Sequence, residues 1–141
     1  MTSTVATGQA CEMILRSRLV PSDTLRRLQY FPRALDAVAH AAERIKQPLR
    51  LEVVAAEAGM TPCAFSRYFT AKIGMTFSAL LRLLRIERAI AELEAGDRAI
   101  SELAHIAGYQ SCCTFSRAFK EVVGETPSEY RRRFLFGTVQ S

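Results

Sequence analysis

The 141 residues lack the features that mark exported and membrane-inserted proteins. No apolar run approaches the roughly 18 residues of a membrane span. The first fifteen residues also lack a basic segment followed by an apolar one, as an export signal has. We therefore expect a chain that is neither inserted into a membrane nor exported.

Metal-binding and catalytic patterns are missing as well. The four cysteines contain no Cys-x-x-Cys pair, and the adjacent Cys112 and Cys113 fit neither a disulfide framework nor a zinc site. Reduced thiols in a cytoplasmic protein are the expected state. His40 and His105 each stand alone on a helical segment, so we expect no enzyme, no metal and no other cofactor.

The composition has enough apolar residues for one ordinary domain or two small ones, with 49% hydrophobic residues. Nineteen Lys and Arg residues against fourteen Asp and Glu residues give a net charge of +5. This excess favours a polyanionic partner, although many basic proteins bind no nucleic acid.

One short segment occurs twice. Residues 57–69 and 105–119 share Ala-Gly, a short polar turn and then Phe-Ser-Arg-x-Phe. The two Phe-Ser-Arg units begin at Phe65 and Phe115, 50 residues apart. We interpret them as two copies of one supersecondary unit.

Helical periodicity runs through most of the chain, and we find no convincing strand. Each repeat begins as a helix, turns at a glycine and continues as a second helix, which is the helix-turn-helix plan. Thr61, Ser111 and Thr126 are expected to cap helices. Helices are expected over residues 33–47, 50–58, 61–73, 76–94, 98–107, 111–123 and from 126.

The repeats and the helices between them predict an all-α fold of two helix-turn-helix subdomains joined by a long linker helix. Pro21-Ser22-Asp23 is expected to turn the chain and cap a short helix. The predicted parts are a tail and short docking segment (1–33), the first subdomain (34–75), the linker helix (76–95), the second subdomain (96–136) and a C-terminal tail (137–141). Within the first part, residues 1–10 are expected to be a disordered tail.

The second helix of each repeat has one face that the phenylalanines bury. Because each residue turns the helix by about 100°, Cys63 and Arg67 lie about 200° to either side of Phe65. Cys113 and Arg117 have the same relation to Phe115. Short residues near the start of a helix, with a long donor that reaches guanine, suit a helix that enters the major groove of DNA. The same count places Cys112 nearer the buried edge.

The linker helix sets the distance between the two repeats. Nineteen residues span about 28 Å, whereas successive major-groove faces lie about 34 Å apart. Its apolar stripe runs from Phe77 to Leu93, and Arg82, Arg85 and Arg88 lie off that stripe. One chain is therefore expected to reach two adjacent grooves, at an asymmetric site that bends if the groove spacing is shortened.

Residues 100–132 resemble the signature of the DNA-binding domain of the AraC/XylS family, and the resemblance extends over about residues 34–134. It implies two homeodomain-like helix-turn-helix subdomains in a transcription regulator, usually an activator. The implied partners are double-stranded promoter DNA and RNA polymerase. The resemblance further implies that the protein lies in the cytoplasm, associated with the nucleoid, and that it is a monomer or weak dimer.

The resemblance also implies contact residues, transferred through the two Phe-Ser-Arg units. The bases are expected to be read by Cys63, Ser66, Arg67, Cys112, Cys113, Ser116 and Arg117. Phosphate contacts are expected from Thr61, Gln110, Thr114, Lys120 and Arg131.

Two departures from the family pattern stand out. Residues 1–34 are too few for a ligand or dimerisation domain, which favours a stand-alone regulator controlled by abundance, with no small-molecule effector. The remaining alternatives are the end of a longer ancestor and a segment that pairs with a partner. Cysteines also replace the bulkier residues near the start of each recognition helix, so oxidation of Cys63 or Cys113 is a second regulatory hypothesis.

A different class of function stays open at this point. The same fold could serve as a protein-interaction module or anti-regulator that binds another transcription factor. DNA binding that depends on salt and is weakened by Arg67→Ala and Arg117→Ala would favour the DNA-binding regulator over the protein-interaction module.

Overall fold

A computed structural model describes residues 10–47 and 50–140, with side chains described as far as residue 136. The expectations for residues 1–9, for Pro48 and for Ser141 lie outside the described residues. Every regular element within the described ranges is an α-helix, which confirms the all-α prediction. The helices are α1 (described over residues 10–15), α2 (Ser22–Tyr30), α3 (Pro32–Glu43), α4 (Leu51–Glu57), α5 (Pro62–Ile73), α6 (Phe77–Ala95), α7 (Ile100–Ile106), α8 (Cys112–Val123) and α9 (Pro127–Gln140).

The two helix-turn-helix pairs, α4–α5 and α7–α8, have the same local construction. Gly59 and Gly108 turn the chain with φ angles of 74° and 90°. The second helix of each pair is then capped by a hydroxyl. Thr61 Oγ1 accepts a hydrogen bond from the Ala64 N–H at 3.2 Å, and Ser111 Oγ accepts one from the Thr114 N–H at 3.1 Å. Both predicted caps are confirmed.

The predicted capping box of α9 is also present. The Thr126 N–H donates to Glu129 Oε1 at 2.9 Å, and the Glu129 N–H donates to Thr126 Oγ1 at 3.2 Å. These bonds favour the ionised carboxylate and lower the pKa of Glu129. The helix continues to Gln140, so residues 137–140 are helical rather than a tail.

The chain forms two compact units, and the boundary between Leu84 and Arg85 falls inside α6. In the first unit the rings of Phe65, Phe69 and Phe77 meet with centroids 5.3 to 5.8 Å apart. Phe77 meets the other two rings edge to face, which is a favourable aromatic arrangement. It holds α5 against the start of α6.

The N-terminal segment contributes to the core of the first unit. Ile14, Val20 and Leu28 are buried in the same cluster as Ala34 and Phe65. Ala10, which we expected in a disordered tail, is helical and buried. The described part of residues 1–33 therefore adds apolar side chains to this core, whereas Met13 and Tyr30 are exposed. Its role as a docking segment stays a prediction.

The second unit is held by a row of aromatic contacts. Tyr109 contacts Phe115, Phe115 contacts Phe119, and Phe119 contacts Tyr130, with centroid separations of 5.6, 5.8 and 5.8 Å. Phe134 then stacks on Tyr130 at 6.5 Å. The row joins the turn before α8 to α9, and α8 lies between them.

Two helix boundaries differ from the sequence prediction. The third helix ends at Glu43, four residues before Gln47, and the chain turns over residues 44–46. Helices usually end at or before the residue that precedes a proline, so Pro48 sets a limit for this helix but does not locate its end. At the start of α2 the N-cap is Pro21, which has no side-chain acceptor, and the Asp23 carboxylate pairs with Arg27 at 3.0 Å.

No helix in the described residues is both long enough and apolar enough to cross a bilayer.

Candidate nucleic-acid interface

The recognition helix of the first unit, α5, has one fully buried face and one exposed face. Phe65, Phe69 and Ile73 are completely buried. On the other side Cys63 and Arg67 are exposed, and Ser66 is half-buried. This is the separation of faces that the spacing predicts.

Two of the predicted base-reading side chains touch each other. Arg67 Nη2 donates to Cys63 Sγ at 3.5 Å, one helical turn back toward the start of α5. This hydrogen bond raises the pKa of the Arg67 guanidinium. The exposed face of α5 thus presents a guanidinium next to a thiol and over the first turn of the helix.

The recognition helix of the second unit, α8, repeats this separation with one correction. Cys113 and Arg117 are exposed and Ser116 is half-buried, as on α5. Cys112 is also exposed, so the expectation that it lies near the buried edge is wrong. It is the first residue of α8, and a side chain there leans toward the N-terminus, where no earlier turn covers it.

The predicted phosphate-contacting residues differ in whether their polar groups already make hydrogen bonds within the protein. Thr61, Gln110 and Lys120 are exposed. The Thr61 oxygen already accepts the capping hydrogen bond, which leaves its hydroxyl proton available to a phosphate. Thr114 is exposed too, but its hydroxyl donates to Ser111 Oγ at 3.3 Å.

Arg131 is the predicted phosphate contact whose guanidinium is most committed within the protein. It is half-buried, and Nη2 donates to the backbone carbonyl of Arg98. Its Nε is buried without a hydrogen-bond partner in the described part of the chain. We therefore expect Arg131 to hold the segment after α6 more than it holds a phosphate.

Arg85 is a positioning residue that the sequence analysis missed. We expected it off the apolar stripe of the linker helix, but it is half-buried. Arg85 Nη1 donates to the carbonyls of Ala107 and Gly108 at 3.3 and 2.9 Å, and its guanidinium lies 5.9 Å from the Tyr109 ring. Burial lowers the pKa of Arg85. Through these contacts Arg85 stabilises the turn that leads into α8.

The chain is similar in sequence to known helix-turn-helix proteins. The profile of a helix-turn-helix domain family matches residues 54–133. The regulatory protein SoxS of Escherichia coli K12 is 37% identical over 98 residues, which is 70% of this chain and 92% of SoxS. The chain belongs to the AraC-type helix-turn-helix family.

Solved structures agree with this assignment. The DNA-binding domain of the global transcriptional factor AdpA, crystallised with a target DNA, matches this AraC-type chain with a TM-score of 0.69 at 27% identity. The match covers 77% of this chain and 97% of the AdpA domain. An AraC-type transcriptional regulator from Chromobacterium violaceum has the same fold, with a TM-score of 0.69 at 24% identity over 75% of this chain and 95% of its own.

These findings confirm the predicted family, and they confirm that this AraC-type protein is a DNA-binding transcription regulator. The matched residues begin within α4 and contain all of α5, α7 and α8, so both recognition helices lie inside the match. The individual contact residues remain predictions.

Proposed function

We propose that the protein is a transcription activator that reads an asymmetric promoter site with α5 and α8, each in its own major groove. The observation that supports this most is the repeated exposed face. Cys63 and Arg67 on α5 correspond to Cys113 and Arg117 on α8, opposite phenylalanines that are completely buried. A recognition helix needs one face that packs on the protein and an opposite face whose side chains contact the bases.

In this proposal the two arginines are the principal base readers. A guanidinium donates two hydrogen bonds to guanine in the major groove, whereas thiols and serine hydroxyls make short contacts with neighbouring bases. The proposed base readers are Cys63, Ser66, Arg67, Cys112, Cys113, Ser116 and Arg117. Thr61, Gln110, Thr114 and Lys120 are proposed to contact phosphates, with Arg131 in a lesser role.

The 19 residues of α6 support the proposal of adjacent grooves. A helix of that length rises by about 28 Å, somewhat less than the roughly 34 Å between successive major-groove faces. A site bent toward the protein would make up this difference.

RNA polymerase is the proposed protein partner, supported by the family resemblance. We further propose that the regulator acts in the cytoplasm on nucleoid DNA, as a monomer or weak dimer and not as an enzyme. Transcription in vitro with purified polymerase and a footprinted promoter should rise when the protein is added.

The recognition assignment is tested by Arg67→Ala and Arg117→Ala on a site found by genomic footprinting. Each substitution should weaken specific binding by about 1–3 kcal/mol, because each removes a bidentate base contact. The two should relax sequence preference at different positions of the site, as measured by titration against a panel of base-pair substitutions. Arg26→Ala is the matched control, since Arg26 is an exposed helical arginine on α2.

If both recognition variants bind every site as tightly as the unmodified protein, the base-reading assignment is wrong.

A further inference from the structure

The first unit contains a groove that is not used by the proposed DNA contacts. It has a volume of about 400 Å³ and lies between α3, α4 and the first helix-turn-helix turn. We refer to it as the α3–α4 groove. Its lining includes Asp36 and His40 from α3, Val54 and Glu57 from α4, and the turn residues Ala58 and Gly59.

In the second unit the corresponding place is filled by Arg85. Its guanidinium donates to the carbonyls of Ala107 and Gly108, which follow α7 as Ala58 and Gly59 follow α4. The same carbonyl positions of this turn therefore accept a guanidinium elsewhere in this chain. The Tyr109 ring, 5.9 Å from the guanidinium, adds a cation–π contact.

The residue that corresponds to Arg85 in the first unit is Arg33. Each arginine directly precedes three buried residues with the same spacing, which are Ala34, Ala37 and Ala41 in α3 and Ile86, Ala89 and Leu93 in α6. Arg33 lies at the rim of the α3–α4 groove, but its side chain is exposed, whereas that of Arg85 is half-buried. Within the described residues, Arg33 donates no hydrogen bond to the carbonyl of Ala58 or of Gly59.

The charge of the α3–α4 groove is suited to a cation. Asp36 is exposed at one side. Burial raises the pKa of the Cys11 thiol, and the negative charge of Asp36 adds to this shift. Glu57 is on the other side, where Arg44 Nη1 donates to its Oε1 at 2.9 Å. Two backbone carbonyls and the Asp36 carboxylate thus remain as acceptors for a donor that carries positive charge.

We propose that the α3–α4 groove binds a small organic cation through its guanidinium or alkylammonium group, in the position that Arg85 occupies in the second unit. The cation donates to the Ala58 and Gly59 carbonyls and pairs with Asp36, and its alkyl part lies against Val54 and Ala37. The groove is large enough for a small ligand. This proposal departs from our expectation from the sequence that no small-molecule effector binds the chain.

Bound there, the cation would contact the turn that sets the start of α5. In the second unit Arg85, a residue of the chain itself, makes the corresponding contact with the turn that precedes α8. A ligand in the first unit would make the position of one recognition helix depend on its concentration.

The test uses the full chain and n-butylguanidine, with n-butylamine as the ammonium probe and n-butylurea as the uncharged counterpart of the same shape. Isothermal titration calorimetry should show saturable one-to-one binding of n-butylguanidine and none of n-butylurea. Amide chemical shifts should move at Ala58, Gly59 and Met60. Asp36→Asn should weaken binding about tenfold or more, since it removes a charge-assisted hydrogen bond.

Two further variants complete the test. Asp23→Asn, at an exposed carboxylate on α2 that pairs with Arg26 and Arg27, should leave n-butylguanidine binding unchanged. Arg33→Gln should leave it unchanged or tighten it, because the arginine at the rim is a competitor. Melting temperatures of all variants verify that they are folded.

The proposal is overturned if neither n-butylguanidine nor n-butylamine saturates the unmodified protein, or if Asp36→Asn binds as tightly. It is also overturned if n-butylguanidine binds only to Arg33→Gln, since the Arg33 side chain then occupies the groove in the unmodified protein. These outcomes do not depend on DNA binding.

Discussion

At the scale of single residues, arginine performs two different tasks in this protein, and burial separates them. Arg67 and Arg117 are exposed on the recognition helices. Arg85 is half-buried, and two carbonyls and an aromatic ring offset the cost of removing its charge from water. The exposed arginines are available to a partner, whereas Arg85 acts on its own chain.

Tyr130 allows a test of the contact between α9 and the end of α6. Its hydroxyl donates to Glu94 Oε2 at 2.6 Å. Burial, with the hydrogen bond and the charge of Glu94, raises the pKa of Tyr130 to about 12 from its ordinary value of 10. Because the folded protein then holds the proton more tightly than the unfolded chain, the contribution of Tyr130 to stability is constant below pH 10 and decreases as the pH rises from 10 toward 12.

Tyr130→Phe should remove this alkaline decrease and should cost about 0.5–1.5 kcal/mol at neutral pH, the net value of one hydrogen bond. Urea unfolding at a series of alkaline pH values measures both effects. Tyr30→Phe is the control, since Tyr30 is 74% exposed. Parallel stability curves for Tyr130→Phe and the unmodified protein would show that the Glu94 contact does not persist in solution.

At the scale of elements, the ends of the helices decide which residues a recognition helix presents. Ser111 starts α8 directly before Cys112, and Gly124 ends it with a φ angle of 98°. The Gly124 N–H donates to the Lys120 carbonyl at 2.8 Å and so closes the last turn. A side chain with a Cβ atom rarely adopts this left-handed conformation.

Gly124→Ala should therefore destabilise the second unit by about 1–2 kcal/mol through backbone strain alone. A Cβ atom at this position would meet nothing within 4 Å, so no steric clash contributes. Gly96→Ala is a matched control, because Gly96 has the same open surroundings and no positive φ angle. We expect it to change stability by no more than about 0.5 kcal/mol. Equal effects of the two substitutions in thermal unfolding would contradict the strain argument.

At the scale of the whole molecule, the chain has two units, each with its own buried aromatic cluster and its own recognition helix. The net charge of +5 belongs to the first unit, which has eleven Lys and Arg residues against six Asp and Glu residues, whereas the second unit has eight of each. A protein that uses such charge on DNA phosphates releases counterions when it binds. Its affinity should then fall steeply with salt.

The salt dependence tests the phosphate contacts one at a time. Lys120→Gln should reduce the magnitude of the log–log salt slope by about 1, and should weaken specific and non-specific binding alike. Arg131→Gln should have a smaller effect, because its guanidinium is engaged with the Arg98 carbonyl. Lys46→Gln is the control, an exposed lysine in the turn after α3. A change in slope for Lys46→Gln as large as that for Lys120→Gln would refute the assignment of Lys120.

The features that could be predicted from the sequence are those in which the cause lies within a few residues of its effect. The caps at Thr61, Ser111 and Thr126 bond to groups three residues ahead. The exposed faces of α5 and α8 follow from the helical period and the phenylalanines alone.

The contacts that the sequence did not predict join residues that are distant in the chain. Arg85 reaches carbonyls 22 and 23 residues ahead, and Arg131 reaches one 33 residues back. The burial of Ile14 and Val20 likewise depends on helices that follow much later. No local pattern distinguishes these side chains from solvated ones.

The sequence by itself therefore determined the duplicated helix-turn-helix plan, its caps and its two exposed recognition faces, because helical geometry and local hydrogen bonds specify them. Tertiary structure alone decided which arginines are free, which segment completes the core of the first unit, and that a guanidinium fills the turn of one unit but not the other. Burial and long-range hydrogen bonding govern those outcomes, and both exist only once the helices have packed.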